Sequence, residues 1–230
     1  MSTPARRHQM RVHAAQAVPA GGELEGSVYE LMQAQLYEHR RTLKNIQSIE
    51  RKIEAKRVFL PVYDDWVNGA LAGDTGAQDI VLVSVMVWHL DVGSWARGLQ
   101  IAAYALRHKM ALPDQYQRDI ATLLIDESST AALVGKLNGD EAVQTLGEVE
   151  KLTRDLDTPD QARAKLHKAI AYALIGKTPS VDPDFSTLAP EQAIQAMDQL
   201  QRAQQLFDKV GVKKDMERLE RRLKAAPGTD

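Results

Sequence analysis

Apolar side chains recur every three or four residues along most of this chain, which is the spacing of one face of an α-helix. The longest such pattern covers residues 27–58, where Ser27 and Glu30 form a capping box at the start. Its apolar seam consists of Met32, Leu36, Leu43, Ile46 and Ile53. We predict one long helix here. Its seam suits coiled-coil packing against a second subunit, or packing against the chain's own core.

A second apolar run, at residues 80–90, contains several β-branched side chains and could form either a strand or a buried helix. We favour the helix, because no other segment of similar composition exists to pair with it in a sheet. Further helices are predicted at 3–17, 94–108, 118–136, 140–156, 159–175, 190–210 and 212–224. The small residues of 94–108 and 191–210 resemble those of tetratricopeptide hairpins, although no regular repeat period is present.

Proline and glycine divide these helices into four segments. Pro19, Gly21 and Gly22 predict a hinge, and three prolines within 178–190 predict a loop. We therefore predict an all-α protein with an N-terminal segment and hinge (1–26), a long assembly helix (27–60), a helical body (61–176), and a loop followed by a C-terminal helical hairpin (177–230).

The composition supports helices and excludes two kinds of site. The 230 residues are 44% hydrophobic and only 5% aromatic, and many side chains are unbranched, so they lose little rotamer freedom in a helix. The absence of cysteine excludes disulfides and thiolate metal sites. The basic, polar start is unlike a signal peptide, and no apolar run approaches the ~18 residues of a membrane span. We therefore expect a protein of a reducing cytoplasm with no membrane partner.

Charge is unevenly distributed along the chain. Residues 1–60 contain ten basic and six acidic side chains, a net charge of +4, whereas the rest of the chain carries −6. A basic N-terminal quarter suits a polyanion such as DNA, although a solvated helix face has the same composition. The candidate DNA-binding residues are Arg6, Arg7, Arg11, Arg40, Arg41 and Lys44. The first three precede the predicted hinge, and we interpret their segment as a mobile arm that contacts phosphates or the minor groove.

The sequence contains little that indicates catalysis. It has no glycine-rich phosphate loop ending in Lys-Ser or Lys-Thr, and no histidine pair spaced for zinc. Asp64, Asp65 and Asp79 are the strongest candidates for a Mg²⁺ site, but adjacent carboxylates after a proline are more typical of a loop and helix cap. We therefore assign no catalytic residue, metal or cofactor. Trp66, Trp88 and Trp95 lie among apolar residues and are predicted to be core.

Six stretches of the sequence carry a family resemblance. Two of them are Thr3-Pro-Ala-Arg-Arg-His-x-Met-Arg-Val and Leu60-Pro-Val-Tyr-Asp-Asp-Trp-Val-Asn-Gly, and the others are residues 40–46, 76–91, 163–168 and 211–221. They are similar to small terminase subunits of peduovirus-type temperate tailed phages. The resemblance follows nearly the whole chain in order and is weakest over 110–160 and 176–190. The Lys/Arg-rich tail of some relatives is missing after Asp230, which argues against DNA contacts made by such a tail.

The resemblance implies a role in packaging viral DNA. The small subunit would recognise double-stranded DNA at the cohesive-end site, assemble as a ring, and direct a large subunit that carries the ATPase and nuclease. The family is often labelled the endonuclease subunit, and we interpret that label as describing the complex. Two alternatives remain open: a metal-dependent endonuclease that uses the three carboxylates above, or a helical scaffold that binds only the large subunit. The implied location is the host cytoplasm during phage assembly.

Overall fold

The computed structural model describes residues 3–15, 27–113 and 116–225. Within these ranges the regular structure is helical, apart from isolated bridge residues such as the antiparallel pair Thr178 and Val181. The all-α prediction is therefore confirmed. The chain divides into two compact units, residues 1–120 and 121–230. The boundary falls inside the segment that the sequence suggested as a single body, 61–176.

The first unit contains six α-helices and a short 3-10 helix within its described residues. They are α1 (Pro4–Ala15), α2 (Ser27–Asn45), α3 (Ile49–Phe59), the 3-10 helix Leu60–Tyr63, α4 (Asp64–Gly73), α5 (Ile80–Asp91) and α6 (Trp95–Arg107). Helix α1 begins at Pro4, one residue after the predicted start, since proline fits the first helical turn. The expected hinge at Pro19, Gly21 and Gly22 lies outside the described residues.

The centre of the first unit is α5, in which every residue from 81 to 90 is buried. The prediction of a buried helix at 80–90 is confirmed. Asp79 begins this helix: its Oδ1 accepts hydrogen bonds from the backbone N–H groups of Val81 (2.8 Å) and Leu82 (3.0 Å). These bonds satisfy two of the four N–H groups that any helix leaves free at its start, and thereby favour helix over strand for an apolar run.

The same carboxylate connects α5 to α4. Trp66 donates its indole N–H to Asp79 Oδ2 at 2.7 Å. The Trp66 ring is 1% exposed and stacks on Tyr29 of α2, with ring centroids 5.6 Å apart. Trp88 and Trp95 are also buried, so all three tryptophans belong to the core as predicted.

The predicted long helix over 27–58 is wrong at residues 46–48, where the chain leaves the helix between α2 and α3. Ser48 has extended backbone angles, and its hydroxyl accepts the N–H of Arg51 at 3.3 Å, which begins a new helix. The break lets α3 return towards α2. His39 and Phe59 stack with centroids 3.9 Å apart, whereas twenty residues of continuous helix would separate them by about 30 Å.

The second unit is built from α7 (Ile120–Leu133), α8 (Gly139–Thr153), α9 (Asp160–Leu174), the 3-10 helix Phe185–Thr187, α10 (Pro190–Leu206) and α11 (Lys213–Ala225). Helix α9 packs against α8 and α10, and α10 packs against α11. The residues between α9 and α10 are largely a loop, as predicted. The likeness of 94–108 and 191–210 to tetratricopeptide hairpins stays a prediction.

Small side chains allow α9 and α10 to approach closely. Ala164, Ala169 and Ala171 of α9 are completely buried, as are Ala193 and Ala196 of α10. Larger apolar residues close the core beside them, among them Ile175, Phe185, Met197, Leu200, Val212 and Leu219. No helix in the described part of the chain is both long enough and apolar enough to cross a membrane.

We expect the bond between Asp79 and Trp66 to couple α4 to α5. Asp79→Ala removes the cap, at a cost of ~0.5–2 kcal/mol, and leaves the buried Trp66 N–H without an acceptor, at ~1–3 kcal/mol. Trp66→Phe on its own should also lower the free energy of unfolding. A double-mutant cycle by chemical denaturation should show that the two substitutions are not additive. Simple additivity would contradict the coupling.

The same carboxyl group predicts a dependence of stability on pH. Burial raises the pKa of Asp79 from 3.8 to about 6 in the folded protein. The folded protein therefore holds a proton that the unfolded chain has already released between pH 4 and 6. This contribution to the free energy of unfolding is complete below about pH 4 and is lost as the pH rises through 6. Burial lowers the pKa of His89 to about 4, which gives the opposite dependence over the same range, so the native chain must be compared with Asp79→Ala. The difference in the free energy of unfolding, native minus Asp79→Ala, should fall as the pH rises from 4 to 6.

Candidate nucleic-acid interface

Helix α1 carries the first group of predicted DNA-binding residues, and the structure packs it against α4. Met10 and Ala14 are 8% and 2% exposed. A Cβ placed on Gly69 of α4 would lie 2.5 Å from the carbonyl oxygen of Arg11 and 2.9 Å from the Ala14 Cβ. Such distances require glycine, because an atom there would overlap the backbone of α1. The interpretation of this segment as a mobile arm is therefore corrected: the helix lies against the body by main-chain contact.

An ion pair between Arg11 and Asp65 also joins α1 to α4. The Nε and Nη2 of Arg11 both donate to Asp65 Oδ1, at 3.1 and 2.8 Å. The Arg11 side chain remains 57% exposed, so the ion pair is open to solvent and contributes little stability by itself. Asp65 was a candidate metal ligand, but in the structure it is the partner of Arg11.

Arg6 and Arg7 lie on the exposed surface of α1. Among the described contacts, neither guanidinium has a carboxylate partner or another acceptor. Arg7 precedes Arg11 by four residues, which places both on the same side of the helix one turn apart. The first turns of α1 thus present positive charge that the protein does not neutralise, on a helix whose position is set by packing.

The second group of predicted DNA-binding residues, on α2, is not a single surface. Arg40 is half-buried and donates to the Ser84 hydroxyl of α5 at 3.0 Å, so it holds two helices together. Arg41 forms an ion pair with Glu38 at 2.6 Å. Lys44 is exposed, and no partner of its ammonium group is found in the described part of the chain. Lys44 is therefore the member of this group most available to an external anion.

The three candidate metal ligands have separate surroundings. Asp79 is 2% exposed, and its oxygens accept hydrogen bonds from Trp66 and from the first N–H groups of α5. Burial raises the pKa of Asp64, and the neighbouring Arg97 opposes that rise. Within residues 3–15, 27–113 and 116–225, no group of three or more histidine, aspartate or glutamate side chains is arranged to hold a metal ion. The structure therefore does not bring Asp64, Asp65 and Asp79 together as a metal site.

The predicted assembly seam is mostly internal. Met32, Leu36 and Leu43 are buried in the first unit, at 2%, 2% and 8% exposure, and Ile46 and Ile53 are half-buried. The apolar side chains that do face solvent on this part of the chain are Leu31, Tyr37, Ile49, Val58 and Val62. Helix α3 has no buried residue at all. The surface open to a second subunit is therefore different from the seam.

The sequence analysis missed the role of Gly69. A glycine inside a helical pattern, next to Ala70, signals close approach of another backbone, and Ala14 supplies a matching small residue on α1. The pairing of Arg11 with Asp65 could not be predicted, because 54 residues separate the two in the sequence.

Comparison with known proteins gives two matches. The family model described as the phage small terminase subunit matches residues 33–161 of this chain. The protein named "Terminase, endonuclease subunit" of Escherichia phage P2 is 41% identical over 231 residues, covering 99% of this chain and 88% of that protein. No solved structure matches.

We predict that Gly69→Ala displaces α1 from α4. The added methyl would overlap the Arg11 carbonyl, so the backbone amides of residues 7–15 should exchange hydrogen at least about tenfold faster, the equivalent of ~1.4 kcal/mol. Gly147→Ala is the matched control, because a Cβ at that position meets nothing within 4 Å. It should leave α1 protected and stabilise α8 slightly. Unchanged exchange of α1 in Gly69→Ala would contradict the packing role of this glycine.

Proposed function

Because this chain belongs to the phage small terminase subunit family, we propose that it recognises double-stranded viral DNA at the cohesive-end site. Family membership supports a role in phage DNA packaging. We further propose that the protein directs a large subunit, which carries the ATPase and nuclease, and that it acts in the host cytoplasm during phage assembly.

The exposed arginines of α1 are the observation that supports DNA contact. Arg6 and Arg7 project from a helix held by Gly69, Ala14 and Met10, so their side chains are offered from a defined position. A guanidinium can donate two parallel hydrogen bonds to one phosphate, which an ammonium cannot do. Fixing the helix before binding also reduces the entropy lost when the complex forms.

Arg11 can join this contact by exchanging partners. Its ion pair with Asp65 is exposed, so a DNA phosphate can replace the carboxylate at little cost. Arg7 lies one turn away on the same side, and the two would then follow neighbouring phosphates. Lys44 on α2 is a further candidate, and Arg41 is a weaker one because Glu38 already neutralises it.

One copy of the chain has only a few exposed cations and would bind DNA weakly. Assembly of several copies would raise the affinity. We propose that the chain forms a homo-oligomeric ring, in which binding of one copy raises the effective concentration of the next at the same duplex. The candidates for the assembly contact are the exposed apolar side chains of α2 and α3, among them Tyr37, Ile49 and Val58. These residues replace the buried Met32, Leu36 and Leu43 in that role.

The name of the phage P2 relative contains the word endonuclease, which makes nuclease activity the principal rival. Asp65 is paired with Arg11 and Asp79 is buried against Trp66, which favours the interpretation that the cutting is done by the large subunit within the complex. Incubation of the purified chain with Mg²⁺ and a cohesive-end duplex tests this. Nicking that disappears in Asp64→Asn would establish the rival. A scaffold that binds only the large subunit would show no affinity for DNA.

We predict that Arg6→Ala combined with Arg7→Ala weakens binding to a cohesive-end duplex. Losing two phosphate contacts should reduce the slope of log affinity against log salt by about 2 and lower the affinity at least about tenfold. The control is Arg202→Ala combined with Arg221→Ala, which removes the same charge from exposed positions in the second unit. Fluorescence anisotropy at several salt concentrations measures both. If the α1 variant binds like the control and Lys44→Ala abolishes binding, α2 is the DNA-binding element.

We predict that Ile49→Asp combined with Val58→Asp yields monomers in sedimentation velocity. Both side chains are 73% exposed, so the folded monomer should tolerate the change while an apolar interface should not. Val134→Asp combined with Ile194→Asp places the same charges on exposed apolar positions of the second unit and should keep the native mass. An Ile49 and Val58 variant of unchanged mass would show that this surface is not the interface.

A further inference from the structure

The second unit contains a cleft that the function proposed above does not use. It has a volume of about 860 Å³ and opens between the segment that follows α9 and the start of α11. Its lining is formed by Tyr172, Lys177, Thr178, Pro179, Ser180, Asp182, Asp208, Lys209, Gly211, Lys213, Lys214, Asp215 and Arg218. A volume of this size is within the range of small-molecule sites, roughly 300–1,000 Å³.

The floor of the cleft is a rigid polar network. Asp215 is 6% exposed and accepts hydrogen bonds from the Tyr172 hydroxyl at 2.7 Å and from Lys177 Nζ at 2.6 Å. The Lys177 ammonium also lies 4.9 Å from the centre of the Tyr172 ring. Arg218 holds Asp182 with two bonds of 2.8 and 3.0 Å. Two of the three acids in the lining are thus neutralised by fixed cations.

The rim carries positive charge without such partners. Lys209, Lys213 and Lys214 are exposed, and in the part of the chain that the structure describes no acceptor contacts their ammonium groups. Five lysine or arginine side chains and three aspartates line the cleft, so its net charge is positive although the chain as a whole is slightly acidic. An anion entering the cleft would be attracted by the rim, and of the three acids only Asp208 is not compensated by a cation among the described contacts.

The lining of the cleft contains no leucine, isoleucine, valine, methionine, phenylalanine or tryptophan. Instead it offers ammonium groups together with the hydroxyls of Thr178 and Ser180, all of which can donate to oxygen. A phosphate group is bound by several hydrogen-bond donors that surround its negatively charged oxygens.

We propose that this cleft binds a phosphate-bearing ligand through Lys209, Lys213 and Lys214, with Thr178 and Ser180 as further donors. Such a phosphate can belong to a free nucleotide or to the backbone of a nucleic acid, and the chemistry of recognition is the same for both. The site lies on the second unit and does not depend on the role of α1. The sequence contains a signal for it: three lysines occur within six residues around Gly211.

The test compares two variants of the full-length chain. Lys213→Ala combined with Lys214→Ala removes two cations of the rim, and Arg221→Ala combined with Lys224→Ala removes two exposed cations of the same helix outside the cleft. Titration calorimetry is performed with pyrophosphate, with ATP and with a DNA duplex. Circular dichroism of both variants checks that the total helix content is unchanged.

We expect the cleft variant to lose at least tenfold in affinity for one of these three probes, with the control within twofold of the native chain. Loss towards pyrophosphate and ATP identifies a free nucleotide as the source. Loss towards the duplex, with a salt slope reduced by about 1–2, identifies a nucleic-acid backbone. Equal behaviour of the two variants with all three probes, or no binding of any probe by the native chain, overturns the proposal. Arg6 and Arg7 are unchanged in both variants, so failure here is distinguishable from failure of the α1 interface.

Discussion

The Asp79 carboxylate accepts three hydrogen bonds inside the first unit, two from the start of α5 and one from the indole of Trp66. Helix α5 is buried from residue 81 to residue 90, so the N–H groups of Val81 and Leu82 must find acceptors within the protein. The same oxygen pair positions Trp66, and Trp66 in turn fixes α4, on which α1 is packed. The position of the arginines on α1 therefore depends, through two helices, on one buried charge.

The sequence was informative where local chemistry decides the structure. The helix at 80–90 follows from a capping residue and the lack of a strand partner. The break between α2 and α3 was not predictable, because the apolar spacing continues through Ile46 to Ile53 as if one helix were present. Ser48 is an adequate cap, but serine occurs in many places without ending a helix. The break allows His39 to stack on Phe59, and these two residues are twenty positions apart in the sequence.

The candidate site shows the same limit for charge. Counting charges over 1–60 correctly identified a basic region, but it could not distinguish Arg6 and Arg7, which are exposed, from Arg40, which is bonded to Ser84 within the unit. The net charge of residues 61–230 is negative, because acids elsewhere outnumber the lysines of the cleft, and it therefore did not indicate this basic surface. In both cases the sign of the charge is in the sequence, and its availability is a property of tertiary packing.

The contact at Gly69 separates two tasks that share one short helix. Met10 and Ala14 hold α1 in place, while Arg6 and Arg7 face outward and touch nothing that the fold requires. Substitution of the outward side chains should therefore leave the thermodynamic stability of the first unit unchanged. The surface proposed to contact DNA can vary between related phages, while the inner face of α1 is inherited unchanged.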